Sequence, residues 1–242
     1  MILRDLPLLF SAPQAFAVII AAFVVSMLLG LIFHEFCHAW VANRLGDPTP
    51  RLMGRLTLNP LAHYDPIGTT MILFAGFGWA KPVPVNPNYT KNPKRAMLLI
   101  AFAGPASNLV VAALAALPIR LGWVPFHTFF VSNPEMWAPI WTSSVSDILG
   151  LFLSTVLFLN VLLAVFNLLP LPPLDGSKVL MGLLPDDLAR QYQRLEPWGP
   201  GLLMLLIIAP YVTGGLISVL IVTGPVINFL LDLLLGTPGG LV

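Results

Sequence analysis

Charge is what this sequence has least of. Lys, Arg, Asp and Glu together make up 10% of 242 residues, against about 25% in ordinary soluble domains. A basic stripe is absent too, because the formal net charge is +1, and that excludes the electrostatic footprint of a nucleic-acid binder. Cys37 is the single cysteine, so no intrachain disulfide can form. There are four histidines in all, too few for the histidine-rich cluster of a membrane di-iron oxidase. Repeats of fixed period, low-complexity runs and a soluble insert of domain size are also missing.

What replaces charge is apolar surface: 57% of the residues are hydrophobic and the mean hydropathy is +0.86. Four blocks approach or exceed the roughly 20 residues that cross a bilayer core. They are Ala15 to Phe33, Ala96 to Leu117, Ile148 to Leu169 and Leu202 to Val222. Shorter blocks at Ile67 to Trp79 and Val226 to Leu235 fit a segment that dips in and returns and a partial or tilted span. The expectation is an all-α polytopic membrane protein of about five to six membrane segments, with one membrane domain over residues 1–242. The segment before Gln14 to Ala17 is too short to serve as the apolar region of a signal peptide.

Lysine and arginine placement orients the chain. If Ile67 to Trp79 returns to its side of entry, Arg44, Arg51, Arg55, Lys81, Lys91, Lys94, Arg95, Lys178, Arg190 and Arg194 share one side. Only Arg4 and Arg120 stay on the other. The positive-inside rule puts the richer side in the cytoplasm. Trp123, Trp137 and Trp141 then occupy the opposite loop, as interfacial anchors.

Residues Asn43 to Arg95 differ in texture. Prolines make Lys81 to Pro87 extended, with β or polyproline character, and the alternation over Arg51 to Leu58 predicts a short strand or β-hairpin arm after the first helix.

Polar chemistry enters the apolar background at two places. His34-Glu35-Phe36-Cys37-His38 is H-E-x-x-H, where the first long helix is expected to end. Residues four apart on a helix are separated by one turn and about 40° around the axis, so both imidazoles face one point. That suits two of the three protein ligands of a catalytic zinc, with Glu35 as general base. Interfacial histidines at a helix end are the alternative, weakened by the spacing and by the rarity of ionisable groups within spans. Cys37 lies on a neighbouring face and reads as packing.

A third ligand has three candidates. His127 falls in the opposite loop, and His63, with Asp65, reads as loop structure or as outer support. Asp175, in FNLLPLPPLDG, lies at the same end as His34 and His38. Zinc, Asp175 and Glu35 sum to zero charge, which softens the burial penalty. Alone, Asp175 would read as a turn residue before Gly176.

HEFCH together with NLLPLPPLDG resembles the site-2 protease family of intramembrane zinc metalloproteases, in a compact form without PDZ-like or CBS-like domains. GWAKPVPVNP (Gly78 to Pro87) and AGPASN (Ala103 to Asn108) also look like segments of that family, so the resemblance runs from about His34 to Gly176. It implies hydrolysis of peptide bonds within the membrane, with one zinc per chain held by His34, His38 and Asp175 and with Glu35 as base. Asn167 and Asn108 match the family's asparagines and would orient substrate or stabilise the oxyanion. A buried Asn bridging two helices is an equally good reading of either. Gly104 reads as close helix packing.

A transmembrane substrate helix must unwind before attack, and Lys81, Pro82, Val83, Pro84, Val85 and Asn86 are expected to bind the unwound strand by edge pairing. A surface loop shaped by prolines is the alternative. The expected partners are a transmembrane protein substrate and the bilayer, in a membrane of prokaryotic type with the site near the cytoplasmic face. A metal-ion transporter predicts duplicated motifs, and neither motif is duplicated. A non-proteolytic scaffold on the same fold has no need of Glu35.

Overall fold

The computed structural model describes residues 6–75, 78–128, 131, 133–213 and 218–236, and every regular element among them is helical. The longer helices are α1 (Pro13–Arg44), α2 (Pro66–Ala75), α3 (Pro93–Arg120), α4 (Val145–Asn167), α5 (Asp175–Leu183), α6 (Gly199–Val212) and α7 (Val219–Leu235). Their starts follow from local chemistry. Proline opens α1 and α3, where its missing N–H costs nothing. The Asn92 side chain accepts the Arg95 N–H at 3.0 Å, and the Ser144 hydroxyl accepts the Asp147 N–H at 3.1 Å.

Among the described helices, α1, α3 and α4, of 32, 28 and 23 residues, are long and apolar enough to cross a membrane. The chain is a membrane protein. These three helices pack against one another in every pairing. Small residues on the buried face of α3, among them Ala101, Gly104, Ala112 and Ala116, let the backbones approach. Apolar packing continues in two further clusters. Leu8, Ile19, Phe23 and Trp141 form one cluster, and Ala112, Leu157, Val161 and Leu231 of α7 form another.

Several expectations change. The helix carrying HEFCH does not stop there: α1 runs ten residues past His34 to Arg44, about 15 Å of further helix. Glu, Ala and the other residues after Phe33 are adequate helix formers, so the helix continues past the end of the apolar run. The strand over Arg51 to Leu58 is absent. Thr49–Leu52 is a helical turn with proline at its start, and Gly54 has φ 68°, which bends the chain out of any strand. The block Leu202 to Val222 is not one helix, since α6 ends at Val212 and α7 begins at Val219; residues 214–217 lie outside those described. With 14 and 17 residues, α6 and α7 reach about 21 and 26 Å, short of a 30 Å core. Trp141 is 1% exposed and belongs to the core, whereas Trp123 and Trp137 are exposed.

The segment after α1 does turn back on itself. The Lys81 N–H donates to the His63 carbonyl at 2.9 Å, and a Cβ on Gly68 would stand 2.1 Å from the Trp79 carbonyl oxygen. The two ends of the 66–79 excursion therefore lie side by side, the condition on which the lysine and arginine asymmetry depends.

Candidate metal centre

His34 and His38 occupy one face of α1, with ring centroids 4.6 Å apart and planes at 87°. Asp175, the first residue of α5, meets them from 137 residues further along the chain. Its Oδ2 atom lies 2.9 Å from His34 Nε2 and 3.1 Å from His38 Nε2, and all three side chains are buried. The approach of α5 depends on Gly176, because a Cβ there would fall 2.2 Å from the Leu168 carbonyl oxygen at the end of α4. The turn between them contains a cis peptide at Pro172-Pro173. Lys178, one turn on, places its ammonium 3.9 Å from the other Asp175 oxygen.

The hydrogen bonds behind the two rings decide what the converging atoms are. His38 Nδ1 donates to the Ile100 carbonyl at 2.6 Å, and a carbonyl only accepts. His34 Nδ1 lies 2.8 Å from Asn108 Oδ1. The Asn108 amide nitrogen faces the Gly30 carbonyl at 3.1 Å and Asn160 Oδ1 at 3.2 Å, so its oxygen faces the ring and Nδ1 again donates.

With both Nδ1 protons committed, neutral imidazoles turn two bare Nε2 lone pairs toward a carboxylate oxygen. Two lone pairs held 2.9 and 3.1 Å from one carboxylate oxygen, with all three atoms within 4.8 Å of one another, repel, and a cation between them resolves this. Ligands about 2.0–2.1 Å from a tetrahedral zinc stand about 3.3 Å apart, close to this spacing. His34, His38 and Asp175 thus form a buried group able to hold one metal ion.

Gly104 supplies the room. A Cβ at this position would lie 2.5 Å from His38 Nε2 and 2.6 Å from His34 Nε2, inside the space that a metal and its open coordination position need. Close helix packing is therefore only part of its role.

Glu35 stands beside this centre, part-buried, and its Oε2 accepts the Val83 N–H at 3.2 Å. The segment Lys81 to Asn86 is without regular secondary structure, with Asn86 in the extended region, and is tied down at both ends. Arg55 donates to the Lys81 carbonyl at 3.3 Å, and the Asn86 N–H donates to Asp47 at 2.7 Å. Pro82 and Pro84 lack N–H groups, so Val83 and Val85 hold the donors between Lys81 and Asn86. Val85 packs beside Ala42, Ala96 and Ile100.

Not every expected residue joins the site. Among the described residues, the Asn167 amide bonds only the Leu163 carbonyl of its own helix, at 2.9 Å. Asn108 faces the back of His34 and not the side on which Asp175 lies. His127 pairs with Asp147 at 3.0 Å, away from the centre. His63 Nε2 donates to the Thr57 carbonyl, and Asp65 accepts the Gly68 N–H, so both organise the loop. Sequence reading missed Asp47, which is fully buried in the loop after α1, and Asn160. A lone Asp before proline and an Asn in an apolar helix carry no local sign of their partners.

The description Peptidase family M50 matches residues 22–195, which include every side chain of this centre. YwhC of Bacillus subtilis, provisionally named a zinc metalloprotease, is 40% identical over 187 residues, covering 77% of this chain and 80% of its own. Rip2 of Mycolicibacterium smegmatis, provisionally named likewise, is 32% identical over 206 residues, covering 82% of this chain and 71% of its own. Rip3 of Mycobacterium tuberculosis is 30% identical over 201 residues, 80% of this chain and 40% of its own. No solved structure matches the chain.

Proposed function

The chain belongs to Peptidase family M50, and we propose that it is an intramembrane zinc metalloprotease, a site-2 protease that cuts membrane proteins in or near their transmembrane segments. The observation that carries this reading is the convergence of His34 Nε2, His38 Nε2 and Asp175 Oδ2, with both Nδ1 protons turned away, between helices of membrane length. His34, His38 and Asp175 hold the metal. A bound zinc supplies Lewis acidity, lowering the pKa of water and polarising a peptide carbonyl.

The chain's own residues supply the rest. Glu35 takes the proton of the attacking water and returns it to the leaving amine. The Val83 N–H steadies one of its carboxylate oxygens, leaving the other for proton transfer. General acid–base assistance of this kind contributes about 10²- to 10⁴-fold. Burial of the centre by α3 and α4 favours reaction over side processes. Asn167, at the last turn of α4, is the residue we assign to orienting substrate, while Asn108 acts by holding His34.

The segment Lys81 to Asn86 meets the base through the Val83 N–H, which supports a role in holding the unwound substrate strand by backbone pairing. His34 and His38 lie about 15 and 9 Å from the Arg44 end of α1. Lysine and arginine crowd that end, so we assign it to the cytoplasmic face. A transporter reading has less support: Glu35 serves proton transfer, and the relatives carry protease names.

The test combines metal analysis with cleavage of a helical membrane substrate by wild type and Glu35→Gln. We expect one zinc per chain in both and cleavage only by the wild type. A Glu35→Gln protein that cleaves normally would overturn the role of Glu35, and a wild-type protein without zinc would overturn the metalloprotease reading.

A further inference from the structure

Behind His34, two asparagines from different helices sit fully buried, Asn108 on α3 and Asn160 on α4. Asn160 Nδ2 donates to the Val156 carbonyl and to the Ser26 hydroxyl, each at 3.0 Å. Its Oδ1 accepts from Asn108 Nδ2 at 3.2 Å, and that nitrogen also donates to the Gly30 carbonyl at 3.1 Å. The chain of amides has one direction. The backbone carbonyls of Val156 and Gly30 can only accept, so each amide nitrogen must face its carbonyl and each oxygen must face the next donor. The last donor in the line is His34 Nδ1.

Gly30 provides the space for this arrangement. A Cβ there would stand 2.9 Å from Leu163 Cδ1, 3.0 Å from Asn160 Oδ1 and 3.2 Å from Asn108 Nδ2. One residue of α1, a single turn before His34, thus supplies both an acceptor and the room for the amide pair. The two histidines differ in this respect. His38 takes its tautomer from a backbone carbonyl, whereas His34 takes it from a side chain that is itself held by a side chain.

We propose that Asn160 is a positioning residue of the metal centre: through Asn108 it keeps the His34 proton on Nδ1 and so keeps Nε2 free for the metal. Asn160 touches neither the three converging atoms nor Glu35, and it acts only through Asn108. The inference rests on His34 being a ligand. Polar bridging of helices alone would hold α3 and α4 together without affecting the ring.

The full-length protein in detergent, as wild type and Asn160→Leu, is examined twice. In the metal-free protein, ¹⁵N shifts of the histidine rings report the tautomer. In the zinc-loaded protein, transfer of zinc to a chromophoric chelator reports its release rate. Loss of an outer partner of a metal-bound histidine costs about 10- to 100-fold in affinity. For Asn160, one step further out, we expect release about tenfold faster, together with a mixed His34 tautomer.

Thr155→Val is the control, because Thr155 is equally buried on α4 and bonds only the Leu151 carbonyl; its zinc release should match wild type. If Asn160→Leu does not fold, Gly30→Ala shifts the amide pair without removing a polar group, and faster release is again expected. Wild-type release and an unmixed His34 tautomer in a folded variant would reduce Asn160 to helix packing and overturn the proposal. A wild-type protein that binds no zinc, or binds it without perturbing the His34 ring, would instead overturn the assignment of His34 as ligand.

Discussion

Gly104 faces His38 so closely that a methyl group on its Cα would stand 2.5 Å from His38 Nε2. Real Cβ atoms do not approach polar atoms to this distance, so the rings would have to turn away from Asp175. Gly104→Ala is therefore expected to lose zinc while keeping its helical content, as measured by metal analysis and far-ultraviolet circular dichroism. Full zinc occupancy in a folded Gly104→Ala protein would mean that the metal sits elsewhere.

Asp175 contributes the one negative charge among the three converging side chains. Asp175→Asn keeps the shape but removes that charge and leaves an amide facing two lone pairs. Zinc affinity should fall by at least the 10- to 100-fold typical of outer partners, since Asp175 is assigned as a direct ligand. Competition with a chelator of known affinity checks this. Unchanged affinity would remove Asp175 from the centre.

The metal centre was legible in the sequence because each half is a compact polar motif against an apolar background. HEFCH and the LDG of Leu174 to Gly176 stand out where lipid-facing residues are expected. The three spanning helices were legible for the same reason, as long uncharged runs. Asp47, Asn160 and Ser26 were not, because their meaning lies in contacts with Asn86, Asn108 and each other across 39 to 134 residues of sequence. Hydropathy also misplaced boundaries. It reports the surroundings of a residue, whereas α1 runs on past its apolar run to Arg44, and α6 ends at Val212 within an apolar run.

Asp47 anchors the Lys81 to Asn86 segment next to the base. Its two carboxylate oxygens accept the Thr49 N–H at 2.9 Å and the Asn86 N–H at 2.7 Å, and the side chain is fully buried. In Asp47→Ala the Asn86 N–H loses its partner. Amide hydrogen exchange at Val83 and Asn86 should quicken by about tenfold or more, the scale of a lost charge-assisted bond. Cleavage should slow while zinc is retained. Unchanged exchange would show that the segment is held without Asp47. Val83→Pro and Val85→Pro test the pairing role separately: slower cleavage with zinc retained is expected, and unchanged cleavage contradicts it.

Metal and fold are coupled through the same three side chains. A zinc ion bound only by the folded protein stabilises it by about 1.4 kcal/mol for each tenfold rise in free zinc above the dissociation constant. The melting temperature of the chelator-stripped protein should rise steadily with zinc, and this dependence should vanish in the His34→Ala, His38→Ala double variant. A melting temperature indifferent to zinc would contradict the coupling.

The central claim is that the His34, His38 and Asp175 centre cuts polypeptide within the membrane. Mass spectrometry of the products formed from a single-span substrate in liposomes, with zinc-loaded protein, tests it most directly. Fragments ending inside the apolar span or within its first turns are expected, formed by wild type and not by Glu35→Gln. Fragments ending only in the water-exposed flanks, or the same fragments at the same rate from Glu35→Gln, would contradict it.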